Sequence, residues 1–112
     1  MRLALFASGK GTNVENIVRY FNGSKSVIIS IIYSNNKNSG AFLNAKKYQI
    51  PGFLLKKEDL SSSNELVDEL NSKQIDLIVL AGFLLKIPRK FIQEFNGNII
   101  NVHPSLLPKY GG

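Results

Sequence analysis

Arg2-Leu3-Ala4-Leu5-Phe6-Ala7-Ser8-Gly9-Lys10-Gly11-Thr12-Asn13 begins as an apolar run and breaks into a glycine-rich polar turn. Leu3 to Ala7 is too short for the core of a signal peptide and leads directly into Gly-Lys-Gly, so it reads as a buried strand. A helix follows. Val14, Ile17, Val18 and Phe21 recur at i, i+3, i+4 and i+7, one apolar stripe. Thr12 or Asn13 is the expected N-cap, and Asn22-Gly23 the stop. Strand, glycine turn and helix form the opening unit of an α/β sheet.

The rest of the chain repeats that unit. Ser26 to Tyr33, rich in Ile and Val, reads as a second strand ending in the polar loop Ser34 to Gly40. Ala41 to Tyr48 reads as a short helix with Ala41, Ala45 and Tyr48 on one side. Pro51-Gly52 turns the chain into a third strand, Phe53-Leu54-Leu55. Lys56 to Leu60 reads as a charged link. Ser61-Ser62-Ser63 offers N-caps for a helix running to Ser72-Lys73, with Leu66, Val67 and Leu70 inward. Ile75 to Leu80 is the fourth strand, ended by Ala81-Gly82. Pro88 suits the first turn of a last helix with Phe91, Ile92 and Phe95 on its apolar face, and Asn98 to Val102 is the fifth strand. Strands alternating with helices of about ten residues predict an α/β, doubly wound, mainly parallel sheet. Right-handed crossovers make 3-2-1-4-5 the expected strand order.

Length and composition narrow the function. With 112 residues there is room for one domain, 1–112. The chain stops at Gly111-Gly112, a few residues after the fifth strand, and two glycines suit a loop better than a terminus. We therefore expect the first part of a longer protein. No apolar run nears the ~18 residues that span a bilayer, so no membrane partner is expected. No cysteine means no disulfide, no thiol catalysis and no cysteine metal site, which fits a cytoplasmic protein. One histidine and no close carboxylate cluster argue against a metal. The net charge of +6 is spread over scattered pairs such as Lys46-Lys47, Lys56-Lys57 and Arg89-Lys90. That scatter suits attraction of small anionic substrates better than a nucleic-acid patch.

In such a sheet, ligands bind beyond the carboxyl ends of the strands, where the strand order reverses. Three segments are expected there. Gly9 to Asn13 sits between a strand and a helix N-terminus, where free N–H groups and the helix dipole favour an anion. Its spacing is neither that of a dinucleotide fingerprint nor that of a P-loop, so a single phosphate fits, the other reading being a plain glycine turn. Ala81 to Ile87 is mostly apolar and reads either as the lining of a pocket for a flat ring or as core. Asn101 and His103 alternate with Ile100 and Val102 and so point the same way. An amide donor beside an imidazole suits a reaction in which a carbonyl oxygen gains charge, the other reading being a buried polar pair. Ser8 and Ser105 lack the surroundings of a hydrolase nucleophile. Glu15, Asp59 and Asp76 read as helix-end or surface carboxylates.

Three motifs together, Ser8-Gly9-Lys10-Gly11-Thr12-Asn13, Leu80-Ala81-Gly82-Phe83 and Asn101-Val102-His103-Pro104-Ser105-Leu106-Leu107-Pro108-Lys109-Tyr110, resemble the folate-dependent formyltransferases, and among them phosphoribosylglycinamide formyltransferase. The resemblance runs along the whole chain and implies a Rossmann-like formyltransferase fold whose C-terminal part is missing here. It implies formyl transfer from 10-formyltetrahydrofolate to the amine of 5-phosphoribosylglycinamide, in purine (IMP) biosynthesis, without metal. Gly11, Thr12 and Asn13 would bind the substrate phosphate. Leu84, Leu85, Lys86 and Ile87, with Asn101, would bind the folate. Asn101 would hold the formyl oxygen, and His103 would donate the proton and stabilise the oxyanion. The Leu107-Pro108 bond would often be cis. Many members carry Arg in place of Leu85 and another near Ser63, and Lys86 could compensate for the first. The family's second half supplies an Asp that raises the pKa of the catalytic His. Residues 1–112 alone are therefore expected to be inactive and marginally folded, which measurable formyl transfer by that fragment would overturn. Two alternatives stand beside this: a non-catalytic phosphate-binding module, and methionyl-tRNA formyltransferase, against which the early glycine loop speaks.

Overall fold

A central strand of a parallel sheet is covered on both faces, so every one of its side chains must be apolar or paired. Leu3 to Ala7 meet that condition: all five are buried, at most 3% exposed. The computed structural model describes residues 1–102. The expectations placed on His103, Ser105 and the Leu107-Pro108 bond lie outside the described residues. The elements in order are β1 (Arg2–Ala7), α1 (Thr12–Phe21), β2 (Ile28–Ser34), α2 (Ala41–Lys47), β3 (Gly52–Leu54), α3 (Lys57–Ser61), α4 (Glu65–Ser72), β4 (Leu77–Ala81), α5 (Arg89–Glu94) and β5 (Asn98–Val102). All strand pairs are parallel and the order is β3-β2-β1-β4-β5, as the alternation of elements predicts.

Alternation along β1 splits the core into two layers. Leu3, Leu5 and Ala7 pack with Val14, Ile17 and Val18 of α1 and with Ala41 and Ala45 of α2. Ala4 and Phe6 point the other way, to Leu60, Leu66, Val67 and Leu70 from α3 and α4 and to Phe91. Phe6 sits edge-on to Tyr33 and to Phe83, each at 5.4 Å between ring centres. Burial, with the nearby Glu69 and Asp59 carboxylates, pushes the Tyr33 phenol well above its usual pKa. It therefore stays protonated and donates to Glu69 Oε1 at 3.4 Å.

Local chemistry moves several boundaries from where the sequence pattern puts them. The link after β3 is helical. Asp59 accepts the Lys56 N–H at 2.7 Å and its own N–H donates back to the Lys56 carbonyl at 2.9 Å, which nucleates one turn and buries Leu60. Ser61 therefore ends α3, and α4 starts at Glu65 behind Asn64. β2 starts at Ile28, because Ser24 Oγ accepts the N–H groups of Ser26 and Val27, both at 3.2 Å, and holds a turn there. The N-cap of α1 is Gly11, not Thr12 or Asn13. Ile92 is 51% exposed, leaving Phe91 and Phe95 as the buried face of the last helix.

Candidate active site

Strand register brings the described parts of the three expected segments to one edge. Ala7 lies opposite Ser34, Phe6 opposite Leu80, and Leu80 opposite Asn101. The loops after β1 and β4 leave the sheet there, and β5 reaches the same level at Val102, one residue before His103.

The loop after β1 is shaped by the loop after β2. Gly11 has φ +89°, and a Cβ on it would lie 2.5 Å from the Gly40 carbonyl carbon. Gly40 has helical dihedrals that any residue accepts, but a Cβ there would collide with the Lys10 carbonyl oxygen. The two backbones touch because neither carries a side chain. Polar groups from the second loop and from α2 then take the carbonyls of the first. Asn36 Nδ2 donates to Ser8 O at 3.3 Å, Ser39 Oγ to Gly9 O at 2.8 Å, and Asn44 Nδ2 to Gly11 O at 3.0 Å. Ser39 and Asn44 are buried polar residues, and these bonds satisfy them.

The carbonyls of the loop are thus taken by side chains that follow β2. The first helical bond of α1 runs from Glu15 N–H to Gly11 O at 2.8 Å. The N–H groups of Thr12, Asn13 and Val14 precede it and so have no helical acceptor, and among the described residues the N-cap position supplies no side-chain bond. A cavity of about 260 Å³ lies against this turn, lined by Gly9 to Asn13 with Ala81 and Gly82. Exposed Lys10 adds a cation to its lining. Free amides, a helix N-terminus and a lysine converge on a space suited to a small anion.

The loop after β4 separates this cavity from a second one of about 480 Å³. Gly82, with φ +69°, lies so close to Asn13 that a Cβ would sit 3.1 Å from its Nδ2. On the other side, Leu85, Lys86, Ile87 and Asn101 line the second cavity, which runs along β5 past Leu80, Phe83, Ile92 and Ile99 to Gly97 and Asn98. Leu84 stands apart: its side chain is 82% exposed and lines neither cavity, while its N–H donates to Ser8 Oγ at 2.8 Å. Ser63 shares a small cleft with Lys90 at the start of α5. An amide in the lining of a slot of mixed polarity can hold a polar group of a flat ligand.

Other parts of the described structure offer less chemistry. A cavity of about 660 Å³ lies at the amino-terminal edge of the sheet, beside Met1, Asp76 and Asn98. Its one carboxylate, Asp76, already accepts the Arg2 N–H at 2.7 Å. Among the described residues no three His, Cys, Asp or Glu side chains gather as a metal site would require. No described helix is long and apolar enough to cross a membrane. Sequence reasoning missed Ser39 and Asn44, which shape the anion loop, and Ile92, which lines the second cavity. The polar loop 34–40 was the available signal for the first of these. Ile92 was assigned to the core by its helical spacing.

Known proteins of similar sequence and structure converge on one family. The formyl transferase family model matches residues 1–112. Phosphoribosylglycinamide formyltransferase of Haemophilus influenzae is 38% identical over 116 residues, covering 99% of this chain and 55% of that protein. The chloroplastic phosphoribosylglycinamide formyltransferase of Arabidopsis thaliana is 36% identical, covering 99% of this chain and 40% of that protein. The chain thus spans about half the length of these curated relatives. The crystal structure of phosphoribosylglycinamide formyltransferase from Anaplasma phagocytophilum matches with a TM-score of 0.80 at 38% identity, over 99% of this chain and 53% of that one. Glycinamide ribonucleotide transformylase 1 from Geobacillus kaustophilus gives 0.78 at 34% identity, over 99% and 62%.

Proposed function

The chain belongs to the formyl transferase family, and on that premise we propose that it serves to move a formyl group from 10-formyltetrahydrofolate to the amine of 5-phosphoribosylglycinamide, a step of purine biosynthesis. The observation that carries this reading is the pairing of two cavities across one loop. The anion-suited turn at Gly9 to Asn13 and the slot of Leu85, Lys86, Ile87 and Asn101 share the segment 80–83 as their dividing wall. A phosphorylated amine held in the first and a flat formyl donor in the second would bring the two reactants together at the strand ends.

The roles follow from residue chemistry. Gly11, Thr12 and Asn13 bind the phosphate through uncapped amides and the Asn13 side chain. The slot, at about 480 Å³, falls within the usual volume of a small-molecule site, and its mix of apolar side chains with the Asn98 and Asn101 amides suits a pterin ring. Lys86, the cation in the lining of this slot, is offered to the acidic part of the donor. The amine nitrogen bonds to the formyl carbon, and Asn101 donates to the oxygen as it becomes an oxyanion. On collapse the carbon–nitrogen bond to the folate breaks, and His103 passes the proton lost by the amine to the departing nitrogen. No metal enters. A cytoplasmic setting belongs to the same proposal, while the Arabidopsis relative is named chloroplastic.

The test uses the complete polypeptide that contains these residues, assayed for formyl transfer with both substrates. His103→Ala should lower kcat by at least about 10²-fold while ribonucleotide binding by calorimetry stays nearly intact. Asn13→Ala should mainly raise the KM for the ribonucleotide. Near-normal kcat in the His103 variant would remove its assigned role. Ribonucleotide binding without any turnover in the parent protein would reduce the site to a phosphate-binding module.

A further inference from the structure

We propose that Ser8 is a positioning residue that locks the phosphate loop to the donor-binding loop, fixing the spacing between the two subsites; this deepens the formyl-transfer reading above and rests on it. Ser8 directly follows β1 and is 3% exposed. A hydroxyl offers one donor and two acceptor sites. Leu84 N–H can only donate, and it does so to Ser8 Oγ at 2.8 Å. The hydroxyl proton is then available to Asn35 Oδ1, with which Ser8 Oγ makes a short bond. The Ser8 carbonyl accepts Asn36 Nδ2 as well. One buried residue thus joins the loops after β1, β2 and β4.

Both neighbours of this junction bear on the two substrates. Gly9, the next residue, begins the lining of the anion cavity. Leu84, whose amide the hydroxyl holds, immediately precedes Leu85, Lys86 and Ile87 on the wall of the second cavity. Leu84 therefore serves the site through its backbone, which explains why its side chain can be exposed. Its described partners are a side-chain amide oxygen and a backbone amide, and these suit it to holding loops in place.

Steady-state kinetics on the complete polypeptide test this. In Ser8→Ala the Leu84 amide loses its acceptor, while Ser39 and Asn44 still hold the Gly9 and Gly11 carbonyls. The KM for 10-formyltetrahydrofolate should rise about tenfold and that for the ribonucleotide by less than about twofold. Asn35→Ala, which only frees the hydroxyl to rotate, should raise the donor KM about threefold, and the double variant should be no worse than Ser8→Ala, since the two act as one unit. A donor KM unchanged in Ser8→Ala, or effects that add in the double variant, overturns the proposal while the formyl-transfer reading stands. If Ser8→Ala does not fold, Asn35→Ala decides by itself: a raised donor KM supports the junction and an unchanged one overturns it. If the parent protein neither binds the ribonucleotide nor transfers formyl, both readings fall.

Discussion

Gly9 and Gly11 stand in one loop and are glycines for different reasons. Gly11 has a positive φ and no room for a Cβ against Gly40, so the fold itself demands it. Gly9 has open space around the missing Cβ and no positive φ, so neither packing nor backbone requires glycine there. On the proposed function, close approach of a phosphate would account for it. Gly9→Ala should therefore leave the thermal midpoint within about 2 °C and raise the ribonucleotide KM about tenfold. Gly11→Ala should cost roughly 1–3 kcal/mol of stability in urea titration. An unchanged ribonucleotide KM in Gly9→Ala would return the loop to a plain structural turn. The sequence made both glycines legible as a close-approach loop. It could not separate them, because the constraint on Gly11 comes from Gly40, a residue on another loop. The same contact explains the misplaced cap: with Gly11 in the left-handed region, the helix starts one residue earlier than a Thr12 cap would allow and two earlier than an Asn13 cap would.

Elements were legible in proportion to their apolar repeat. The stripes Val14-Ile17-Val18 and Leu66-Val67-Leu70 are buried as their spacing implies, and both helices form. α3 was missed because a single turn carries one buried residue, Leu60, which no periodicity can show. Its only trace was Asp59 three residues after Lys56, a capping relation hidden among charges. The three serines that follow drew the N-cap reading to themselves, while Ser61 closes the preceding turn. If the Asp59 carboxylate is what holds α3, then Asp59→Ala should lower stability by about 1 kcal/mol and speed amide exchange at Ser62, whose N–H bonds Glu58 O at 2.7 Å. Unchanged exchange there would mean that Leu60 packing alone sustains the turn.

For the whole molecule, the strand order was readable because parallel pairing with right-handed crossovers leaves few arrangements. The division of the strand-end region into two cavities was not, since it depends on which loops touch, through Asn13 and Gly82 and through Ser8 and Leu84. The two-layer core follows the chain in time as well as in space. One layer draws almost wholly on residues up to Ala45, with Val79 and Ala81 as late additions. The other needs Leu70, Ile78, Phe91 and Phe95. On a ribosome adding about 5–20 residues per second, the first layer can close while Ala4, Phe6, Ile31 and Tyr33 still lack their cover. For several seconds the nascent chain carries half a sheet with one greasy side in water. Chains stalled once Tyr48 has emerged should crosslink to a hydrophobic-binding chaperone through Phe6 and Tyr33, and chains stalled after Phe95 has emerged should not. Equal crosslinking at both lengths would show that the two layers close together.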